Sequence, residues 1–343
     1  MIQQTTKLSG TAANIVLAKT GHGLAGMTQK PDPLDDITCF KAIKASLDSV
    51  PAGAKMLLNS AEFYGRSPPT SNLELLSRFF EKYPEYAEKA FLSVKGATKA
   101  DSMMTDNSPE NLKRSVDTCI AALRGMKKID LFECARVDPK YRIEDTLQVL
   151  SGFVKERKFD HIGLSECSAE TVRRANKVWP IASVEIEISP FSYEDETKKV
   201  VETCKELGIA VVGYSPIGRG LLTGTINKAD DLPEGDYRKH FSRFQEGNVE
   251  HNAAIVDALT SIAKKKNVST TQLSIAWVSA LGSHVIPLPG SSNATRTLEN
   301  LAGGDIELST EELDEISQVL AAHTVKGSRY FDKGPVQILN LWG

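Results

Sequence analysis

The fold is decided by residues 55–96, KMLLNSAEFYGRSPPTSNLELLSRFFEKYPEYAEKAFLSVKG, which hold two short apolar runs on either side of an amphipathic segment. Residues 55–59 and 90–94 have the length and apolar content of buried strands, and the segment between them has the apolar spacing of a helix. A polar group follows each strand: Tyr64, within Glu-Phe-Tyr-Gly, comes after the first, and Lys95 comes after the second. Because parallel strands joined by a helix end at the same edge of a sheet, this unit places a phenol beside an ammonium.

A tyrosine beside a lysine has a specific chemical use. Tyrosine normally keeps its proton up to a pH of ~10, and an ammonium a few ångströms away lowers that pKa by stabilising the phenolate. Such a phenol can donate a proton to a carbonyl oxygen while hydride arrives at the carbon. The plain alternative is a strand-end Tyr64 with its hydroxyl in water and an ordinary surface Lys95. The pair alone leaves both interpretations open.

Strands and helices alternate along most of the chain. The apolar runs predict eight strands, over residues 21–27, 55–59, 90–94, 129–133, 161–164, 182–188, 210–213 and 285–288. The amphipathic segments predict helices over residues 35–49, 72–82, 109–124, 143–157, 169–178, 194–207, 248–266, 270–280, 294–301 and 309–322. Ser108-Pro109-Glu110 has the residues of a helix start, and Ser269 and Ser309 each open a capping box.

Eight strand–helix units with short, continuous apolar strands are typical of a parallel sheet covered by helices. A closed barrel accommodates eight units in a chain of this length better than an open sheet does. We therefore predict an α/β protein with a (β/α)₈ TIM barrel, a single domain over residues 1–343 with an extra C-terminal helix.

A glycine-rich hexapeptide at the first strand fits a different fold. Residues 21–26, Gly-His-Gly-Leu-Ala-Gly, have the G-x-G-x-x-G spacing of a dinucleotide-binding fingerprint. That fingerprint requires a helix to begin at once, so that its N–H groups face a diphosphate. Lys30-Pro31-Asp32-Pro33 follows here, which predicts a loop and disfavours a Rossmann fold. The glycines are better explained by a bend in the first strand and the close approach of a ligand.

The composition excludes several classes of protein. The chain has 41 Lys+Arg and 44 Asp+Glu, and its net charge of -3 favours neither nucleic acid nor an anionic membrane as a partner. The five cysteines and six histidines have neither disulfide-framework nor metal-binding spacing, so we predict no metal. The first residues contain no apolar signal segment, and no apolar run approaches the ~18 residues of a membrane span. We expect a soluble cytoplasmic protein.

Two loops at the carboxyl ends of strands, where barrel active sites form, offer groups for a phosphate-containing ligand. The eighth loop and the helix after it contribute Gly290, Ser291, Ser292, Arg296, Glu299 and Asn300. N–H groups and hydroxyls at a helix N-terminus bind phosphate, and the arginine adds a positive fork. The seventh loop combines an aromatic ring for stacking with a backbone that can approach a diphosphate, through Tyr214, Ser215, Pro216, Ile217, Gly218 and Arg219. The alternatives are a capped surface helix with a solvated arginine and an ordinary β–α turn.

These segments, in this order, resemble the aldo-keto reductase family over most of the chain. Tyr64 and Lys95 are similar to that family's proton donor and lysine, Gly163-Leu164-Ser165 to its nicotinamide segment, and the seventh and eighth loops to its diphosphate and 2′-phosphate segments. The resemblance implies NADP(H) bound without a Rossmann fold and reduction of an aldehyde or ketone. Within the family, the Phe132-Glu133-Cys134-Ala135-Arg136 run is most similar to the fungal pyridoxal reductases.

Two positions depart from the family's catalytic pattern. The family usually has an aspartate five residues before the tyrosine, where this chain has Asn59, and a histidine at the end of strand four, where it has Ala135. Asn59 can accept a hydrogen bond from Lys95 but carries no charge, so we expect a lowered pKa for that lysine. Ala135 cannot orient a carbonyl group.

The groups expected around the nicotinamide amide also differ. The family usually offers Ser, Asn and Gln, whereas this chain offers Ser165, Glu166 and Glu185. A carboxylate accepts from the amide NH₂ but cannot donate to its carbonyl, which leaves the serine as the sole donor.

The predicted function is NADPH-dependent reduction of a small-molecule aldehyde, with pyridoxal to pyridoxine as the best single reaction. Tyr64 is the expected proton donor, assisted by Lys95 and Asn59. Two alternatives stay open: a reductase for another aldehyde or ketone, since pockets in this fold are built from loops, and an NADP-binding regulatory module with little turnover.

Overall fold

Eight parallel strands form a barrel in the computed structural model, which describes residues 2–30, 32–331 and 339–343. The barrel strands are β3 (His22–Gly23), β4 (Met56–Ala61), β5 (Ala90–Gly96), β6 (Ile129–Cys134), β7 (Phe159–Ser165), β8 (Ser183–Glu187), β9 (Ala210–Tyr214) and β10 (Val285–Leu288). Two further strands, β1 (Thr5–Lys7) and β2 (Val16–Ala18), precede them in the chain. The helices are α1 (Ala25–Thr28), α2 (Asp36–Asp48), α3 (Ser71–Lys82), α4 (Pro109–Leu123), α5 (Ile143–Lys155), α6 (Ala169–Val178), α7 (Asp195–Leu207), α8 (Asn248–Lys266), α9 (Thr270–Ala280), α10 (Ala294–Gly303) and α11 (Thr310–Ala322).

The barrel strands lie in chain order from β3 to β10, each parallel to the next. The ring closes through the N–H groups of Gly21 and Gly23, which donate to Pro287 O at 2.9 Å and Pro289 O at 3.0 Å. A Cβ atom on Gly23 would lie 3.4 Å from the Cα of Gly290, so glycine permits this close approach. The predicted (β/α)₈ barrel and its C-terminal helix are confirmed.

An antiparallel hairpin of β1 and β2 covers the amino-terminal end of the barrel. Leu17 on this hairpin is fully buried and packs with Leu57, Phe91 and Leu131, which point into the barrel from three neighbouring strands. The lower part of the interior is therefore an apolar layer. The hairpin was absent from our predictions because its strands are three residues long and show no extended alternation.

The prediction of a strand over residues 21–27 is wrong in its second half. Only His22–Gly23 is a strand, and a single helical turn, Ala25–Thr28, follows. The N–H of Leu24 donates to Asn59 O at 3.1 Å, after which the chain turns away from the sheet. The loop predicted at Lys30-Pro31-Asp32-Pro33 is present in its described residues, which lie outside any helix between α1 and α2, but the expectation that no helix begins directly after the glycines is wrong by this one turn. The sheet has barrel topology and not a Rossmann order.

The predicted helix starts agree with the observed caps. The hydroxyls of Ser108, Ser269 and Ser309 accept from the backbone N–H three residues later, at 3.2–3.3 Å. Each hydroxyl satisfies one of the unpaired N–H groups of a first turn, which fixes where the helix begins. These short-range signals are why the observed bounds of most helices lie within one or two residues of the predicted ones.

The described part of the C-terminal segment, residues 323–331 and 339–343, reaches the rim at the carboxyl end of the barrel and is tied down there by a buried ion pair. Arg329 donates to both carboxylate oxygens of Glu166, at 3.3 and 3.1 Å, and the N–H of Trp342 donates to Glu166 O at 3.1 Å. Burial opposes ionisation of Glu166, but Arg329 and Arg136 outweigh it and hold its pKa below the usual value. The segment is thus an integral part of the rim.

We expect Arg329→Met to lower the free energy of unfolding by about 3–5 kcal/mol, because it leaves the Glu166 charge buried without a partner. The contribution of this pair is present above the unfolded glutamate pKa of ~4.3 and is lost as pH falls through the lower folded value. Urea unfolding at several pH values measures both effects. Lys326→Ala, an exposed change in the same segment, is the matched control; an equal loss from both variants would contradict the assignment.

Candidate active site

A lysine and its partners occupy the carboxyl end of the barrel interior. The inward positions that hold Leu57, Phe91 and Leu131 in the apolar layer continue along the same strands to Asn59, Lys95 and Glu133. Glu185 joins them from β8, on the far side of the barrel. Because alternate residues of a strand point to the same face, all these side chains face the barrel interior. The interior is apolar in its lower part and polar at its carboxyl end.

Lys95 is held by two direct contacts. Its ammonium donates to Asn59 Oδ1 at 2.6 Å and to Glu185 Oε1 at 2.8 Å, and Asn59 Nδ2 donates to Glu185 Oε2 at 2.6 Å. Glu133 Oε1 lies farther away, 3.9 Å from the ammonium. All four side chains are buried, so the lysine has almost no contact with water.

The expectation of a lowered pKa for Lys95 is wrong. Burial lowers it, but the charges of Glu185, Tyr64 and Glu133 outweigh burial and raise the pKa above its usual value. Asn59 indeed brings no charge, yet the anion is not missing from the site, because Glu185 supplies it from another strand. The ammonium is therefore a permanent positive charge at neutral pH.

Tyr64 lies over this ammonium. The Lys95 Nζ atom is 5.2 Å from the centroid of the Tyr64 ring. Thr28 Oγ1 donates to Tyr64 O, and the preceding Glu62 accepts from Arg114 and Ser115, each at 2.5 Å. These contacts fix the short loop after β4, so the predicted neighbourhood of phenol and ammonium is present in the structure.

The pKa of Tyr64 is shifted in the direction opposite to our expectation. Lys95 does lower it, as predicted, but burial has a larger effect and the charge of Glu185 adds to it, so the pKa is raised above 10.0. The phenol therefore holds its proton at neutral pH. Tyr64 is therefore a potential proton donor and is not a phenolate in the resting protein.

Ala135 leaves one side of the site without a polar group. It is 5 % exposed, and its N–H donates to Gly96 O at 2.9 Å. A methyl group at this position offers nothing to a carbonyl oxygen. Tyr64 and Lys95 are donors at this end of the barrel, whereas the Ala135 side chain contributes none.

The residues predicted to face a nicotinamide amide are differently engaged. Ser165 ends β7 and is buried, while Glu166 takes a left-handed backbone with φ of 50°. The Glu166 carboxylate accepts from Arg329 and, at 2.8 Å, from the Tyr214 hydroxyl. The Glu185 oxygens accept from the lysine and asparagine described above. A cofactor role for these residues stays a prediction.

The seventh loop is anchored by its arginine. Arg219 Nη2 donates to Glu187 Oε2 at 2.8 Å, and its guanidinium lies 4.5 Å from the ring centroid of Tyr330 and 4.7 Å from that of Phe241. The Tyr214 and Tyr330 hydroxyls are 2.9 Å apart. Ser215, Pro216, Ile217 and Gly218 form the tight turn between Tyr214 and Arg219, in which Ser215 and Gly218 have positive φ.

The eighth loop is positioned by a buried histidine. His22 Nε2 donates to Ser291 O at 2.8 Å, and burial lowers the pKa of His22 to about 4, so the ring is neutral. Asn293 caps α10 by accepting from the N–H of Arg296 at 3.1 Å. The Arg296 side chain is exposed and makes no ion pair with any residue that the structure describes.

The other predicted residues of this loop vary in their contacts. Gly290 packs against Gly23, and Ser292 and Asn300 are buried. Glu299 instead accepts from Ser269 Oγ at 2.9 Å and so links α10 to α9. The predicted residues thus share one rim, but Glu299 already has a structural partner.

Sequence reasoning missed several charged residues of the site. Glu133 was quoted only within a family motif, and Glu187, Arg329 and Tyr330 were not considered. A signal existed for the acids: Glu133, Glu185 and Glu187 interrupt otherwise apolar buried strands, where a charge needs a partner. No comparable signal marks Arg329, since its partner is 163 residues away.

The described residues hold neither a membrane-spanning helix nor a cluster of metal-binding side chains. No helix in these residues is long and apolar enough to cross a membrane. The same residues contain no cluster of three or more His, Cys, Asp or Glu side chains arranged to hold a metal ion.

Comparison with known proteins gives consistent results. The model of the Aldo/keto reductase family matches residues 19–321. Probable pyridoxal reductase 2 of Schizosaccharomyces pombe is 38% identical over 315 residues, covering 90% of this chain and 93% of its own. Putative pyridoxal reductase of Saccharomyces cerevisiae is 31% identical over 338 residues, covering 92% and 97%. Aldo-keto reductase yakc [NADP(+)] of S. pombe is 34% identical over 278 residues, covering 79% and 80%.

A solved structure shows the same fold at lower identity. Glycerol dehydrogenase from Gluconobacter oxydans superposes with a TM-score of 0.79 at 23% identity, covering 96% of this chain and 98% of that one. At this identity the likeness concerns the fold alone. From the family match and the extent of the similarity to the curated relatives, the chain belongs to the aldo/keto reductase family.

Proposed function

We propose that this protein reduces an aldehyde with NADPH and that pyridoxal, converted to pyridoxine, is its substrate. The observation that carries the proposal is the Tyr64 ring 5.2 Å from an ammonium that Glu185 keeps charged. The two fungal relatives described as pyridoxal reductases support the substrate, and the relative whose name includes NADP(+) supports the cofactor.

Tyr64 delivers the proton in this proposal. When bound at the rim, the nicotinamide cofactor would supply the hydride. The Tyr64 hydroxyl donates its proton to the carbonyl oxygen. Lys95 stabilises the phenolate that remains. Asn59 and Glu185 hold the ammonium in place, so the positive charge is already oriented when the negative charge develops.

The eighth loop suits the phosphate of NADP(H). The exposed guanidinium of Arg296 is free to pair with an anion, and the α10 N-terminus adds a positive potential. His22 fixes Ser291 by its hydrogen bond, and the contact of Gly290 with Gly23 fixes the start of the loop. Arg296 and the serines would hold the 2′-phosphate, and the seventh loop the diphosphate.

Tyr64→Phe tests the proton donor. We expect kcat for pyridoxal reduction to fall by about 10²–10⁴-fold, because the acid is removed while the ring remains. Loss of NADPH absorbance measures the rate, and quenching of protein fluorescence checks that NADPH still binds. Tyr83→Phe deletes a hydroxyl far from the rim and is the matched control. An unchanged rate in Tyr64→Phe would reassign the acid; no turnover of any aldehyde by the natural protein would favour the regulatory-module alternative.

Arg296→Gln tests the cofactor. We expect KM for NADPH to rise by about tenfold or more, since the variant loses a charged hydrogen-bonding fork to the phosphate. KM for NADH, which lacks that phosphate, should change little and serves as the internal control. Equal changes for both cofactors would contradict a 2′-phosphate site at Arg296.

Ala135 bears on the choice of substrate. Its methyl group cannot polarise a carbonyl, so a substrate that polarises its own carbonyl has an advantage. Pyridoxal carries a phenolic hydroxyl beside its aldehyde, and an internal hydrogen bond between them supplies this polarisation. This explains how reduction proceeds at a site without a histidine.

Salicylaldehyde and benzaldehyde separate this effect from simple ring binding. We expect kcat/KM for salicylaldehyde to be higher by about tenfold, the value of one hydrogen bond strengthened in the transition state. 4-Hydroxybenzaldehyde has the hydroxyl where no internal bond forms, and it should behave like benzaldehyde. Equal kcat/KM values for all three aldehydes would refute substrate self-polarisation.

A further inference from the structure

The barrel interior beside Tyr64 holds one more acid than base. Lys95 lies 2.8 Å from Glu185 and 3.9 Å from Glu133, and the three residues are 5%, 3% and 1% exposed. If both acids were ionised, the cluster would carry one uncompensated negative charge away from water. Such a charge is strongly disfavoured, and a buried carboxyl group normally binds a proton instead.

The geometry distinguishes the two acids. Both Glu185 oxygens accept short hydrogen bonds, from Lys95 and from Asn59, as a carboxylate does. Glu133 Oε1 accepts no hydrogen bond from any residue that the structure describes. Its other oxygen packs against β7, where a Cβ atom on Gly163 would lie 2.9 Å away. The hydrogen bonds therefore mark Glu185 as the anion, whereas Glu133 has at least one buried oxygen without a donor.

We propose that Glu133 is protonated in the resting protein and sets the charge of the Tyr64–Lys95–Glu185 cluster, as a positioning residue that acts through Lys95. The effect of Glu133 on turnover rests on the proposed reductase function, whereas the protonation of Glu133 does not depend on that function.

The surroundings of Glu133 support this assignment. Burial raises the pKa of Glu133 well above its usual range, and the neighbouring Glu185 raises it further, while Lys95 and Arg136 act in the opposite direction. The remaining titratable groups near Glu133 are neutral at physiological pH, with raised pKa values for Tyr64, Cys134 and Cys167. Arg136 is a further cation near Glu133, but it donates to Leu339 O, Ala135 O and the Tyr330 hydroxyl and forms no ion pair with Glu133 among the described residues.

Ionisation of Glu133 would oppose reduction. A second negative charge near Lys95 weakens its stabilisation of the Tyr64 phenolate and raises the pKa of the phenol further. Reduction also develops negative charge on the substrate oxygen, which the same charge disfavours. We therefore expect kcat/KM for reduction to fall as pH rises through the pKa of Glu133.

Infrared spectroscopy tests the protonation directly and needs no turnover. We expect the natural protein at neutral pH to show the C=O stretch of a protonated carboxyl, and Glu133→Gln to lack it. Glu185→Gln should lack it too, because Glu133 then ionises to balance Lys95. Glu144→Gln, which removes a half-buried, ion-paired acid away from the barrel interior, should retain it. A natural protein without this band, or a band that survives in Glu133→Gln, overturns the proposal.

The pH dependence of kcat/KM tests the functional consequence. In Glu133→Gln the side chain stays neutral, so the alkaline fall should move to higher pH by about one unit or more. In Glu144→Gln the fall should stay where it is in the natural protein. An identical alkaline fall in the natural protein and Glu133→Gln shows that Glu133 does not control the reaction. If Glu133→Gln does not fold, Glu133→Asp keeps the carboxyl group in a changed position and should shift the infrared band, whereas an unshifted band in Glu133→Asp overturns the proposal.

Discussion

The buried positive charge of Lys95 is the constraint on which the carboxyl end of the barrel depends. An ammonium with so little access to water is stable only if anions and hydrogen-bond acceptors surround it. Asn59 meets that demand from the neighbouring strand β4, and Glu185 meets it from β8 across the barrel. Glu133 lies farther from the ammonium, at 3.9 Å. These inward positions consequently form one unit, in which a change of charge at one alters the state of the others.

This dependence explains why an uncharged Asn59 is compatible with a charged lysine. The anion does not have to follow on the same strand as the tyrosine, because the interior of a closed barrel is narrow enough for β8 to reach β5. The amide serves as a connector: it accepts from Lys95 and donates to Glu185. The prediction considered only Tyr64, Lys95 and Asn59 on neighbouring strands, and it therefore gave the wrong direction for the shift in the Lys95 pKa.

The parts of the fold that could be predicted are those encoded locally. Capping residues such as Ser108 and Ser269 fix helix starts within one turn, and apolar runs such as residues 90–94 mark buried strands. The proximity of Tyr64 and Lys95 followed from consecutive parallel strands. The first strand was predicted, but its early end at Gly23 could not be recognised, because the hydrogen bonds that define this strand include ones to residues more than 260 positions later.

The parts of the site that escaped prediction are long-range charge pairings. Glu166 and Arg329 meet only after the C-terminal segment crosses the rim, and Glu185 meets Lys95 only across the closed barrel. A sequence shows that a strand contains an acid, but not which cation lies opposite it. Burial still makes the pairing obligatory, so an acid in an apolar strand is itself evidence that a partner exists elsewhere in the chain.

The charge of the barrel interior affects the proposed chemistry at the carboxyl end of the barrel. The proposed reduction of an aldehyde consumes one proton at the site, and the Tyr64 phenol that we propose as its source has a raised pKa in this environment. A neutral cluster keeps the cost of forming the phenolate low, because Lys95 then faces one anion and not two. An additional anion would favour the positively charged oxidised nicotinamide over the neutral reduced form, and so favour oxidation of the alcohol. The protonation of one buried carboxyl group thus biases both the acid strength of the phenol and the direction in which a bound cofactor is used.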